Sequence, residues 1–112
     1  MSAQMFARVF GVIFLLAGLL GFFVDSLWGL VHFDFAHNVI HLVFGIAGLY
    51  AAGQLDLSVL YTKIVGVVYL LAGVLGLIFP DMFGLMHLEL LENIGHLIVG
   101  AIAVYFATQN KQ

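Results

Sequence analysis

Four long apolar runs limit the folds that are open to this chain. They lie at about residues 5–24, 38–53, 59–79 and 94–107. Within them only Arg8 and Lys63 carry a formal charge, and only 8% of the whole chain is charged, whereas a soluble domain needs about a quarter. Backbone groups in lipid must form hydrogen bonds within their own segment, and runs of this length do so as helices. The sequence therefore predicts an all-α membrane protein with four transmembrane helices in one domain, residues 1–112.

The second and fourth runs are short for a hydrocarbon core of about 30 Å. We therefore expect their helices to begin slightly earlier, at Ala36 and Leu91. The first run predicts a transmembrane span rather than a signal peptide, because it is long and lacks a small-residue cleavage site followed by a polar domain.

The few charges predict the orientation of the four spans. Arg8, Lys63 and Lys111 fall on one side if the chain crosses four times. The connections on the other side hold only carboxylates, at Asp25, Asp34, Asp81, Glu89 and Glu92. The positive-inside rule then predicts cytoplasmic termini, a cytoplasmic turn at residues 54–62 and outward-facing histidines.

The chain contains an internal duplication. Residues 8–53 align without a gap on residues 63–108, and 17 of the 46 positions are identical, against about four expected from composition. Each copy is one helical hairpin, and two spans per copy bring both copies into the membrane in the same direction. The sequence predicts two tandem hairpins related by a pseudo-two-fold axis along the membrane normal.

Polar residues recur where each hairpin turns back into the membrane. The first copy holds His32, Asp34, His37, Asn38 and His41, and the second holds His87, Glu89, Glu92, Asn93 and His96. We expect two polar clusters beneath the outer surface, with Asp34 and Glu89 capping the helices that follow.

Small residues recur at helical spacing in both copies. On the second helix, Gly45, Gly48 and Ala52 share a face with Asn38 and His41. Such faces let membrane helices pack closely. The predicted packing positions are Gly18, Gly21, Gly45, Gly73, Gly76 and Gly100. Leu, Phe, Ile and Val are then expected to face lipid.

The outward connections are rich in aromatic and aliphatic residues. We predict that each forms a short helix at the membrane surface, with Ser26 and Asp81 as N-caps. Trp28, Phe33 and Phe83 suit the headgroup layer.

Three interpretations of the polar residues stay open. In the first, His and Asn side chains brace the connections by bonding backbone groups that the helices leave unsatisfied. In the second, His37 and His41 bind a metal, with Asp34 or His32 completing the site. Alternatively, His41 and His96 bind a haem or chlorophyll-type macrocycle, with a glycine at i+4 leaving room for the ring. In the third, the histidines sense pH or handle protons.

Several functions are disfavoured by the residues present. The chain has no Cys, so thiol catalysis and zinc–thiolate sites are excluded. Neither Ser26 nor Ser58 lies in a nucleophile elbow, and no basic run predicts nucleic-acid binding. We expect no catalytic residues.

The repeated pattern also resembles a known family. "GLVHFDFAHNVIHLVFG" and "GLMHLELLENIGHLIVG", each after a Gly-Val-x-x-Leu-Leu-Ala-Gly helix, resemble bacterial four-helix membrane proteins called domain of unknown function 4383. The resemblance covers about residues 6–107 and implies four spans in the bacterial cytoplasmic membrane, without an activity. A more distant similarity to small four-helix proteins of the DoxX type implies a subunit role in redox membranes.

From these features we expect a non-enzymatic structural or accessory membrane subunit. Its expected partners are the lipid bilayer and either copies of itself or a larger membrane complex. We expect no cofactor, with a haem, a chlorophyll-type pigment or a metal at His41 and His96 as the alternative.

Overall fold

The described part of the protein forms four helices and two very short strands. The computed structural model describes residues 2–24, 26–27, 31–32, 34–79 and 90–109. The helices are α1 (Ala3–Gly21), α2 (Phe35–Ala51), α3 (Leu55–Ile78) and α4 (Leu90–Gln109), and the strands are β1 (Ser26–Leu27) and β2 (Val31–His32). Helices α2 and α4 begin one residue before the predicted starts.

Three of the helices are long and apolar enough to cross a membrane: α1, α3 and α4. Helix α2 is apolar but has 17 residues, which at 1.5 Å per residue span about 25 Å. The predicted all-α membrane architecture is therefore confirmed.

The helices pair as the duplication predicts. Helix α1 packs mainly against α2, and α3 packs mainly against α4. A Cβ atom added at Gly18 would lie 2.9 Å from the carbonyl oxygen of Asn38, and one at Gly73 would lie 3.1 Å from that of Asn93. These two contacts occupy equivalent positions of the repeat. The two hairpins therefore share the same close internal packing.

The predicted packing glycines lie inside the bundle. All six are buried: Gly18, Gly21, Gly45, Gly73, Gly76 and Gly100. Close approach at such positions increases the dispersion contact between helices, which is the main attraction available to them in lipid.

The outward surface is mostly Leu, Ile and Val, as predicted, but the expectation for Phe is partly wrong. Phe6 and Phe14 are buried, and Val65 is also buried in the same core. These side chains fill the space between the hairpins, where small residues alone would leave voids.

The first connection does not form the predicted short helix. Strand β1 pairs antiparallel with β2, with Ser26 opposite His32 and Leu27 opposite Val31. A single helical turn leaves most of its N–H and C=O groups without intrahelical partners, whereas two paired extended segments bond to each other. Ser26 is therefore part of a strand and not an N-cap. The second connection, with Asp81 and Phe83, lies outside the described residues, as do Trp28 and Phe33.

Candidate functional site

The first two turns of α2 and α4 bring polar side chains from both hairpins together. His37 and His41 are four residues apart on α2, and Glu92 and His96 have the same spacing on α4, so each pair lies on one helix face. The four residues His37, His41, Glu92 and His96 form what we call the histidine cluster. The side chains expected in two separate clusters thus meet in one.

The three imidazoles of the cluster converge. One ring nitrogen from each of His37, His41 and His96 lies within 4.8 Å of the other two. The ring centroid of His37 is 4.3 Å from that of His41 and 5.5 Å from that of His96. His37 therefore lies next to both of the other rings.

His37 also contacts the carboxylate of Glu92. Its Nδ1 atom lies 3.1 Å from Oε2 of Glu92, and the two side chains are only 6% and 3% exposed. Residues 37 and 92 are equivalent in the repeat. The one position of the polar pattern that carries His in one copy and Glu in the other is thus where the two hairpins form a buried polar contact.

Several imidazole nitrogens of the cluster are buried without hydrogen-bond partners. Within the part of the chain that the structure describes, none is found for either ring nitrogen of His37, for Nδ1 of His41 or for Nδ1 of His96. A buried polar group left unsatisfied costs about 1–3 kcal/mol. A neutral imidazole carries a lone pair on one nitrogen, so three of them can donate to one cation.

Two aromatic rings border the cluster. The ring of Phe14 stacks on that of His41, with their centroids 5.8 Å apart. The ring of Tyr69 lies edge-on to that of His96 at a centroid distance of 5.1 Å, and the centroids of Phe14 and Tyr69 are 5.3 Å apart. Neither ring was predicted to contact the histidines. The available signal was that positions 14 and 69 are equivalent in the repeat and lie on the helix preceding each histidine.

Asn38 and Asn93 are buried beside the cluster, each 2% exposed. The side-chain amide of Asn38 lies against Gly21, so a Cβ atom there would collide with it. Among the described residues, Oδ1 of neither asparagine has a hydrogen-bond partner. The connections that these side chains are predicted to brace lie largely outside the described residues, so the bracing role stays a prediction.

The remaining predicted residues lie at the edge of the site or outside the described residues. Asp34 occupies the N-cap position of α2, but its side chain makes no capping hydrogen bond, contrary to expectation. His32 belongs to β2, and its side chain is not described. His87 and Glu89 lie outside the described residues.

The glycines below His41 and His96 do not leave room for a flat ring. A Cβ atom at Gly45 would lie 2.5 Å from the backbone nitrogen of Leu15, and one at Gly100 would lie 2.8 Å from that of Leu70. The preceding helix of each hairpin occupies this space. The structural argument for a macrocycle, which rested on these glycines, is therefore wrong.

Two equivalent helical hairpins, in which three of the four helices are long and apolar enough to cross a membrane, define this chain as an integral membrane protein built by duplication. It belongs to the family described as Domain of unknown function (DUF4383), whose model matches residues 4–109. The predicted resemblance is confirmed. Neither the curated proteins nor the solved structures include a significant match to the chain.

Proposed function

We propose that this protein is a non-enzymatic membrane subunit whose two hairpins bind one divalent transition-metal ion through His37, His41 and His96. The observation that carries the proposal is the convergence of three imidazole nitrogens within 4.8 Å in a buried site. An ion at that point would satisfy nitrogens that have no partner among the described residues.

The donor set favours a first-row metal. Imidazole suits Zn²⁺, Cu²⁺, Fe²⁺ and Ni²⁺, and the chain has no thiolate that would favour softer ions. Tetrahedral zinc holds its nitrogens at about 2.0–2.1 Å, so they lie about 3.3 Å from one another. To bring the three nitrogens from at most 4.8 Å apart to this distance, each pair must approach by at most about 1.5 Å. Rotation of the imidazole rings supplies a movement of this size.

A single ion fits the cluster better than a macrocycle does. The ring centroid of His37 lies 4.3 Å from that of His41 and 5.5 Å from that of His96. The His37 ring therefore fills the space that a macrocycle bound to both His41 and His96 would need. This geometry favours the metal alternative over haem or a chlorophyll-type pigment.

The contacts between helices support a structural role for the ion. Each hairpin packs more extensively within itself than against the other hairpin. Helix α2 supplies two histidines and α4 supplies one, so a bound ion would connect the two hairpins. We propose that the ion fixes their relative position, and that the assembled bundle acts as an accessory subunit in the cytoplasmic membrane with both termini inside.

The metal proposal is tested on the purified protein in detergent. We expect elemental analysis and Co²⁺ titration to give one ion per chain, with visible d–d absorption from the bound Co²⁺. His37→Gln, His41→Gln and His96→Gln should each weaken binding. Tyr61→Phe is the matched control, because it alters a buried tyrosine outside the cluster. Wild-type protein that binds neither Zn²⁺ nor Co²⁺ would refute the proposal.

The subunit role is tested separately. We expect the protein extracted in mild detergent to migrate as an oligomer or within a larger complex, and chemical cross-linking in membranes to trap the same species. A chain that is monomeric both in membranes and after mild extraction would contradict this role.

A further inference from the structure

Glu92 lies at the cluster without joining the group of converging ligand atoms. That group consists of one nitrogen from each of His37, His41 and His96. The carboxylate instead contacts Nδ1 of His37, at 3.1 Å. Metal-binding histidines commonly have such a carboxylate on the nitrogen that does not face the metal, where it fixes the tautomer and the ring orientation.

We infer that Glu92 is the positioning residue of the proposed metal site, and that residues 37 and 92 can exchange roles because the repeat makes them equivalent. The inference rests on the proposed function.

The chemistry of the pair assigns the two nitrogens of His37. An ionised carboxylate accepts hydrogen bonds and cannot donate them, so the Nδ1–H tautomer of a neutral His37 suits the neighbouring Glu92, although their 3.1 Å contact does not have hydrogen-bond geometry in this structure. In that tautomer the lone pair is on Nε2, which, like Nδ1, is buried and has no hydrogen-bond partner among the described residues. Glu92 therefore leaves Nε2 as the nitrogen of His37 that binds the ion.

The charge of Glu92 gives it a second effect on the site. Three neutral imidazoles leave a bound divalent ion with its full charge of +2, and burying such a charge in a low-dielectric interior is costly. The described part of the cluster holds one carboxylate, that of Glu92, with its side chain 3% exposed. Its negative charge reduces the net charge of the occupied site from +2 to +1.

The exchange of roles follows from the two-fold relation between the two copies of the repeat. Adding 55 to the residue number takes position 37 to position 92 and His41 to His96. A two-fold operation that interchanges the hairpins therefore places a histidine at position 92 beside His96 and His41, with the carboxylate at position 37. In the double variant H37E/E92H the same three imidazoles and one carboxylate surround the site, supplied by the opposite hairpins.

The test measures the Co²⁺ affinity and d–d spectrum of the full-length protein in detergent. We expect Glu92→Gln to weaken binding about 10–100-fold, the usual effect of losing an outer carboxylate. Its spectrum should keep the wild-type band positions, because the three coordinating nitrogens are unchanged. Glu92→Leu removes the side-chain oxygens beside His37 as well as the charge, and should weaken binding more than Glu92→Gln does. A purely structural Glu92 would change thermal stability without this graded loss of affinity.

The exchange is tested with the single and double variants. We expect His37→Glu to lose more affinity than either Glu92 variant, because one coordinating imidazole is gone. The double variant H37E/E92H should recover most of this loss and restore the wild-type spectrum. Circular dichroism and size exclusion show whether each variant is folded, and Glu92→Gln, which keeps the shape of the side chain, tests the positioning role if the double variant is misfolded.

Each outcome has a distinct meaning. If the wild type binds Co²⁺ and Glu92→Gln binds it with the same affinity, the positioning role alone is overturned. A shift of the d–d bands in Glu92→Gln also overturns it, because Glu92 would then be a direct ligand. A folded double variant no better than His37→Glu overturns the exchange of roles. Wild-type protein that binds no Co²⁺ overturns the proposed function, and the role of Glu92 with it.

Discussion

Gly45 is the position at which one added methyl group most directly tests the packing of the first hairpin. A Cβ atom there would lie 2.5 Å from the nitrogen, 2.7 Å from Cα and 2.8 Å from Cβ of Leu15. Two of these three atoms belong to the backbone of α1, so rotation of a side chain cannot relieve the collision. In Gly45→Ala the two helices must move apart.

The size of the movement follows from the contact distances. Ordinary contact begins at 3.4 Å, so α1 must retreat by about 0.9 Å from its 2.5 Å approach. A gap of this size forfeits about a quarter to a half of the dispersion energy of the neighbouring contacts. Overpacking of this kind costs about 1–3 kcal/mol, and the clash with backbone places Gly45→Ala near the upper end. Alanine gains about 0.8–1.0 kcal/mol in helix propensity, which leaves a net loss of about 1–2 kcal/mol.

Gly95→Ala is the matched control. Gly95 lies inside α4, and a Cβ atom added there would meet no other atom within 4 Å. The substitution therefore keeps the gain from restricting the unfolded chain, about 0.4–1 kcal/mol, without a clash. Both variants exchange glycine for alanine in a helix. Opposite changes in their free energies of unfolding therefore isolate the effect of the contact between helices.

The assay is unfolding by SDS titration in mixed micelles, followed by circular dichroism. We expect the free energy of unfolding to fall for Gly45→Ala and to rise for Gly95→Ala, so that the two variants differ by about 1.5–3 kcal/mol. If Gly45→Ala is as stable as the wild type, α1 and α2 do not approach as closely as the structure shows. If both variants lose the same stability, the cost comes from the glycine itself and not from the contact.

Three further predictions concern other parts of the bundle. Tyr61→Phe removes the hydrogen bond that the hydroxyl donates to the carbonyl of Phe44 at 2.7 Å, and SDS titration should show a loss of about 0.5–1.5 kcal/mol; an unchanged free energy would mean that the bond is not formed. Single cysteines at Gly53 and Phe35, both exposed at helix ends, should be labelled by a membrane-impermeant reagent only from the cytoplasmic and the outer side respectively; labelling of both from one side would contradict four crossings. Under the metal proposal, a chelator should lower the melting temperature of the wild type but not that of His41→Ala; equal shifts in both would argue against a site at His41.

The starts of the helices were predictable because they depend on local sequence. Helices α2 and α4 begin at Phe35 and Leu90, one residue before the expected positions. The apolar runs fix these boundaries, since a residue in lipid must satisfy its backbone within its own helix. The duplication extends the same reasoning to the packing, because equivalent small residues on both hairpins produce equivalent close contacts.

The first connection was not predictable in the same way. Its apolar residues and Ser26 indicated a short surface helix, but the backbone forms β1 and β2 instead. The choice depends on whether two short segments can reach each other across a turn. Composition does not report this, because aromatic and aliphatic residues suit both alternatives.

The candidate site was predictable in its residues but not in its contacts. The repeat singled out His37, His41, Glu92 and His96, and helical spacing placed each pair on one face. Their separation into two clusters followed from treating each hairpin alone. Phe14 and Tyr69, which contact the histidine rings, lie on the preceding helices. Their orientation toward the histidines depends on how the two helices of each hairpin pack together.

A duplicated pair of membrane hairpins, with small and polar residues on defined helix faces, is predictable from residue order, because hydrophobicity and periodicity act within each segment. The tertiary structure alone decided that Nδ1 of His37 meets Glu92 and that His37, His41 and His96 converge. These contacts join residues about 55 positions apart, and they form only when the two hairpins dock with these particular faces turned toward each other.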